Sequence, residues 1–222
     1  MAVIHHNATL TPGKLELLAA WLPSQPWYRG RDGGPALDRA GGFRLDDPDG
    51  EVGIEFMVVT DGPGSPAYLV PLTYRAAALP GADHALITTA EHGVLGRRWV
   101  YDGTHDPVLI GQLIALIQGR AEPQAQRVSD TPDPTVTTGP PAVGVPLAPA
   151  GPATVSTTGE HTQVQFPVAA GGSVVLQISR LLHPGDGPGA GTGAGVSATW
   201  QPPGGPRLRG VFVTARHLPP VG

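Results

Sequence analysis

The apolar residues of this chain change period several times along its length. Leu15, Leu18, Ala19 and Leu22 recur at helical spacing. Ahead of them, Thr11-Pro12 offers a hydroxyl cap followed by a proline suited to a first helical turn, and Pro23 closes the segment, so a first helix is predicted. Val52, Ile54, Phe56 and Val58 then alternate with Gly53, Glu55 and Met57, the pattern of a strand with one buried face. Asp61-Gly62-Pro63-Gly64 breaks that pattern, and extended structure resumes from Tyr68 to Tyr74, which predicts an antiparallel hairpin. A second hairpin is expected from residues 85–89 to 95–101, turning near His92-Gly93.

Asp106-Pro107 repeats the cap-then-proline signal. Behind it Val108, Leu109, Ile110, Leu113, Ile114, Leu116 and Ile117 make a helix apolar on more than half its circumference, and Gly119 supplies a left-handed stop. A helix of that kind has to be buried, so it is expected to lie across the preceding sheet. Residues 121–160 are broken by Pro123, Pro132, Pro134, Pro140, Pro141, Pro146, Pro149 and Pro152, which leave room only for short edge strands. Beyond them the pattern is β: 162–168, 173–181, 196–201 and 207–215, with a tight turn at Gly171-Gly172, a loop over 184–195 and a turn over 202–206. The expected fold is therefore α+β. An N-terminal antiparallel sheet packed by helices occupies residues 1–125, a proline-rich linker or edge strands fill 126–160, and a small, mainly antiparallel β module covers 161–222.

Composition narrows the function classes. The formal charge of −4 and the pI near 6.0 give no electrostatic footprint for nucleic acid or an anionic membrane. No apolar run reaches the ~18 residues of a membrane span, and the first residues lack a basic, hydrophobic leader pattern, so a cytoplasmic protein is expected. There is no cysteine, which excludes disulfides, thiolate metal sites and cysteine nucleophiles. Gly 32 and Pro 26 together make about a quarter of the chain, concentrated in turns and linkers. Arg97-Arg98 and Arg207/Arg209 read as solvated strand faces.

The segment Trp21-Leu22-Pro23-Ser24-Gln25-Pro26-Trp27-Tyr28-Arg29-Gly30-Arg31 resembles the opening of actinobacterial maltokinases, where a helix ends in a similar Trp-Leu…Trp-Tyr-x-Gly motif that begins an N-terminal cap domain. The likeness continues through the hairpin around 53–74 and through Tyr101-Asp102-Gly103-Thr104-His105-Asp106-Pro107 with its apolar helix, covering roughly residues 1–125. A second, shorter likeness covers about 25 residues. His161–Phe166 and Val174–Gly185 are similar to the first strands of the kinase N-lobe, with Gln177 standing where the resemblance implies an ATP-anchoring lysine.

Phosphoryl transfer requires a cation on the nucleotide phosphates, acid and amide ligands for Mg²⁺, and a carboxylate for the acceptor hydroxyl. Here the one lysine is Lys14, in the predicted first helix, and the one asparagine is Asn7, so no His-x-Asp loop with its downstream asparagine exists. The likeness also ends before a C-lobe would begin. Gly13-Lys14 is followed by Leu15 and so is no Walker loop, and the glycine tract over 187–195 leads into a predicted strand where a phosphate site needs a helix N-terminus. No serine lies in Gly-x-Ser-x-Gly. Asp46, Asp47, Asp49 and Glu51 are expected as solvated turn residues. His84, His92 and His105 fall in predicted turns and make a metal site only if the fold converges them.

Trp27, Tyr28, Arg29, Arg31 and Trp99 are the candidate ligand or partner surface, although Trp21 and Trp27 read first as core anchors at a helix end. The expected protein is a non-catalytic accessory or regulatory one, acting through a protein partner such as a sugar kinase or α-glucan enzyme of trehalose/maltose metabolism. It is expected to need no cofactor, and ATP with Mg²⁺ enters only under the alternative of a sugar-kinase component. A carbohydrate-binding module is the other alternative.

Overall fold

A computed structural model describes residues 9–30, 33–126, 128, 131–139, 147–185 and 194–220. Two short helices, α1 (Lys14–Trp21) and α2 (Pro107–Ile117), accompany fourteen strands among the described residues. The first seven strands are β1 (Leu10–Thr11), β2 (Leu37–Leu45), β3 (Gly53–Asp61), β4 (Ala67–Arg75), β5 (Leu86–His92), β6 (Gly96–Asp102) and β7 (Gln124–Ala125). The others are β8 (Thr137–Thr138), β9 (Thr154–Thr158), β10 (His161–Pro167), β11 (Ser173–Ser179), β12 (Leu181–Leu182), β13 (Ala194–Trp200) and β14 (Leu208–Leu218). The α+β expectation holds only coarsely, because antiparallel sheet dominates and the helices are two short additions to it.

All pairings are antiparallel, and the main path runs β1-β5-β6-β4-β3-β2-β13-β14-β11-β10-β9. Both predicted hairpins form: Val58 lies opposite Leu69 across β3 and β4, and Ala90 opposite Arg98 across β5 and β6. The N-terminal and C-terminal strands meet twice. Trp200 of β13 pairs with Gly41 of β2, and Leu181 of β12 pairs with Tyr68 of β4. Because β12 continues directly from β11, the series β4-β3-β2-β13-β14-β11 returns to β4 and closes. Segment 126–160 adds β8 beside β13 and β9 beside β10, while its Val136 and Leu147 are buried.

The largest apolar cluster joins both ends of the chain. Phe43, Phe56 and Leu69 share it with Leu176, Ile178, Trp200 and Phe212, and the buried side of α2 (Leu109, Ile110, Leu113, Ile114) belongs to it too. Phe43 stacks on Phe56 with ring centroids 4.6 Å apart. At about 1.5–3 kcal/mol per large buried side chain, this shared core dominates the stability of the whole assembly of strands. A second cluster lies on the opposite side of β3 and β4, where Leu17, Leu18 and Leu22 cover Met57, Val59, Tyr68 and Val70. The strand β3 is thus buried on both faces, a correction to the half-buried strand read from its alternation, since α1 occupies the face expected to meet water.

Local signals explain α2 well and α1 less well. Asp106 caps α2, its Oδ1 accepting from the Val108 N–H at 2.9 Å, with Pro107 in the first turn. Gly119 takes φ +70 and its N–H donates to the Leu116 carbonyl, while the Arg120 N–H reaches the Ala115 carbonyl at 2.8 Å. At α1 the cap is Gly13, not Thr11. Thr11 is drawn into β1 opposite Glu91, and the Gly13 N–H instead donates to Glu16 Oε2 at 3.2 Å. The loop expected over 184–195 lies mostly outside the described residues, and its last two residues, Ala194 and Gly195, already belong to β13.

Candidate functional site

The helix α1 runs into a 3₁₀ turn, Leu22–Ser24, which contains Pro23 and redirects the chain so that Trp27 folds back under Trp21. Their rings meet edge-on with centroids 5.9 Å apart, and Tyr68 lies 6.0 Å from Trp27. Trp27 is 3 % exposed, so it is a core anchor and offers no ring face to a sugar. Tyr28 donates its hydroxyl to Asp61 Oδ2 at 2.7 Å, and burial together with that carboxylate pushes its phenol far above the ordinary value. The Arg29 N–H donates to the Tyr68 hydroxyl at 3.1 Å while its guanidinium points outward. Arg31 lies outside the described residues. Trp99 is not part of this group. It sits on β6 and packs with Ala82, Ala85 and Tyr101. Of the expected surface, the described residues bring Tyr28 and Arg29 together at this place, with Trp27 buried beneath them and Trp99 elsewhere on β6.

What the sequence reading missed is the residue at the centre of this place. Arg180 links β11 to β12 and is 1 % exposed. Its Nη2 donates to Asp102 Oδ2 at 2.5 Å and to Thr104 Oγ1 at 3.2 Å, and its Nε donates to Thr162 Oγ1 at 2.7 Å. The guanidinium carbon stands 5.1 Å from the Trp27 ring centroid, a cation–π contact away from water. Asp102 also accepts from the Thr104 N–H at 3.1 Å and from its hydroxyl at 2.8 Å. One buried side chain thus holds the cap-like residues Trp27, Asp102 and Thr104 to the C-terminal β10. A lone charged residue inside the mostly apolar run of residues 174–182 was the available signal.

Above this hub lies an exposed ionic group that spans the same seam. Arg29 Nη2 pairs with Glu160 Oε1, and His183 Nε2 lies 2.7 Å from Glu160 Oε2. The hydrogen bond with His183 is the largest influence on the Glu160 carboxyl; it outweighs the opposing effect of burial and, joined by the charge of Arg29, holds the group below its usual range.

Three further carboxylates of the cap-like segment, Asp106, Glu55 and Asp47, are buried and engaged internally. Asp106, fully buried, accepts two bonds from Arg75, from Nε and Nη2 at 2.7 Å each. Glu55, 2 % exposed, takes Lys14 Nζ at 2.5 Å, the Tyr74 hydroxyl at 2.9 Å and Gln126 Nε2 at 2.9 Å. Burial alone would raise the Glu55 carboxyl, but Lys14, Arg39 and Tyr74 outweigh it and bring it below the ordinary value. Asp47 was expected in solvent. It is buried instead and organises its turn by accepting from the backbone N–H groups of Asp49, Glu51 and Val52. Gln177 sits in mid-β11 between Gln163 of β10 and Thr214 of β14.

Two of the three turn histidines converge. His84 Nε2 and His105 Nδ1 are 3.1 Å apart, with rings nearly perpendicular. Burial is the main cause holding His105 below the ordinary histidine value, with Asp102 opposing it. His92 is instead at the end of β5, accepting from the N–H groups of Val94 and Leu95. Among the described residues no group of three or more His, Asp or Glu is arranged to hold a metal ion, and no helix is long and apolar enough to cross a membrane.

Residues 21–106 match the family model of the maltokinase N-terminal cap domain, a span that runs from Trp21 at the end of α1 through both hairpins to the α2 cap Asp106. No curated protein matches the chain.

Proposed function

We propose, taking residues 21–106 as a maltokinase N-terminal cap-like domain, that this protein is a non-catalytic accessory or regulatory unit that works by contact with another protein. The observation that supports this reading is the fate of the cap's charged residues. Asp102 is held by Arg180, Asp106 by Arg75, and Glu55 by Lys14, so each carries a structural load in place of a ligand. At Gln177 a neutral amide opposes no phosphate charge. The partner class, an enzyme of trehalose, maltose or α-glucan metabolism such as a sugar kinase, follows from the description of the matched domain alone.

Arg29 and His183, both exposed at the seam, are the side chains at this place most open to such a partner. Mixing the purified chain with a maltokinase-type kinase and following mass by light scattering tests the reading. A complex that weakens on Arg29→Glu supports it. No complex with any kinase or glucan enzyme of that pathway removes it. The carbohydrate-binding alternative is weakened by the burial of Trp27 and by its separation from Trp99. Tryptophan fluorescence that stays constant in millimolar maltose is the outcome expected.

A further inference from the structure

The pairing of His84 with His105 serves no part of the accessory role. The two imidazoles come from different 3₁₀ turns, Asp83–Ala85 and Gly103–His105, separated in sequence by the whole of β5 and β6. The second hairpin and the cap Asp102 bring them together: Leu86 opens β5 opposite Tyr101 of β6, and Asp102 then starts the turn that carries His105. His84 is exposed and His105 half-buried, so one ring is anchored while the other is open to solvent.

We propose that His84 and His105 form a two-nitrogen site for a divalent transition cation, binding Cu²⁺ most tightly. With metal–nitrogen bonds of about 2.0–2.1 Å, ring nitrogens 3.1 Å apart subtend roughly 95–100° at a shared ion. That bite suits neighbouring positions of a square-planar or octahedral sphere, and imidazole donors follow the order that peaks at copper. His105 ligates through Nδ1 and keeps its proton on Nε2, while His84 ligates through Nε2 and keeps its proton on Nδ1. The proton that bridges the pair in the metal-free protein moves to the outer nitrogen of its own ring, so neutral imidazoles bind the ion with no net release. Exposed His84 has the freedom to tilt its lone pair off the line between the rings.

The charge of Asp102 acts on His105 and favours a cation there, partly offset by Arg180. No third side-chain donor is assembled among the described residues, so water, or a donor from elsewhere, fills the remaining positions. An open coordination sphere of this kind exchanges ligands readily, unlike a closed structural site.

Titration of Cu²⁺ into the full chain, followed by electron paramagnetic resonance, tests the site. The expected spectrum is one type 2 copper with hyperfine splitting from two nitrogens. His84→Gln, at an exposed position that leaves the thermal unfolding curve in place, should weaken binding by about tenfold or more, and His105→Gln should do the same. The adjacent pair His5-His6 is the competing donor in the sequence, so His5→Gln/His6→Gln is the control and should leave the tight site intact. Unchanged affinity in His84→Gln, or loss of the site in the His5/His6 variant, overturns the proposal. Because nothing in this titration involves a protein partner, its failure would leave the accessory role untouched.

Discussion

Two ionic groups cross the same seam between cap-like and C-terminal strands, and they differ in almost everything but charge. Inside, Arg180 is bonded to Asp102, Thr104 and Thr162 beneath Trp27, with both charged partners nearly shut off from water. On the rim, Arg29 and His183 flank Glu160, with Arg29 61 % exposed. The interior group is bound into three strands and cannot be solvated if broken, whereas the rim group exchanges its partners for water at little cost. Position in the sheet, more than the identity of the residues, decides which arginine matters to the fold.

The largest effect should come from the interior. Arg180→Met leaves Asp102 buried with only the hydroxyl and N–H of Thr104 and no cation, and about 3–5 kcal/mol of stability should be lost in urea unfolding. Replacing both partners, as Arg180→Met/Asp102→Leu, should cost less than the single change, because no charge is then stranded. A double variant worse than the single would remove the claim that the pair is coupled.

Glu55 stands next. Glu55→Gln keeps the shape but gives up charge-assisted bonds from Lys14, and about 1.5–3 kcal/mol should go at neutral pH. The sign with pH is fixed by the direction of the shift: the folded carboxyl titrates below its unfolded value of about 4.3, so its contribution is complete above that value and is lost as pH falls through the folded pKa. Parent and variant stabilities measured against pH should therefore converge in acid. A gap that stayed constant to pH 2 would show that Glu55 is not ionised in the fold.

The fold was legible where its causes are local. Asp106-Pro107 and Gly119 bracket α2 as read, since cap and stop lie within a few residues of the bonds they make. The hairpins were legible because Gly-Pro turns and alternation are also local. Thr11 was misread as a cap because its strand partner, Glu91, lies eighty residues further on. Glu55 gave no sign of burial, its partners being Lys14 and Gln126, and neither did Asp102, whose partner Arg180 sits on the far side of the proline-rich segment. At the candidate site the motif Trp27-Tyr28-Arg29 was visible, but which of its members faces water depends on Tyr68 and Arg180, which alternation alone does not place. Likewise His84 and His105 are unremarkable turn residues until the second hairpin closes.

The smallest effect belongs to the rim. Glu160→Ala should change stability by less than about 1 kcal/mol, with the difference fading in molar salt. A loss comparable to that of Arg180→Met would erase the contrast between the two groups.

The central claim is that the buried charged residues of the cap-like segment, Glu55, Asp102 and Asp106, are committed to the fold, and that Gln177, a neutral amide in mid-β11, anchors no triphosphate. Thermal unfolding in millimolar Mg-ATP tests it most directly, since any ligand that binds the native state raises the midpoint. The account predicts an unchanged midpoint, equal to that in Mg²⁺ with the non-nucleotide anion sulfate. A clear, saturable rise specific to the nucleotide would contradict it.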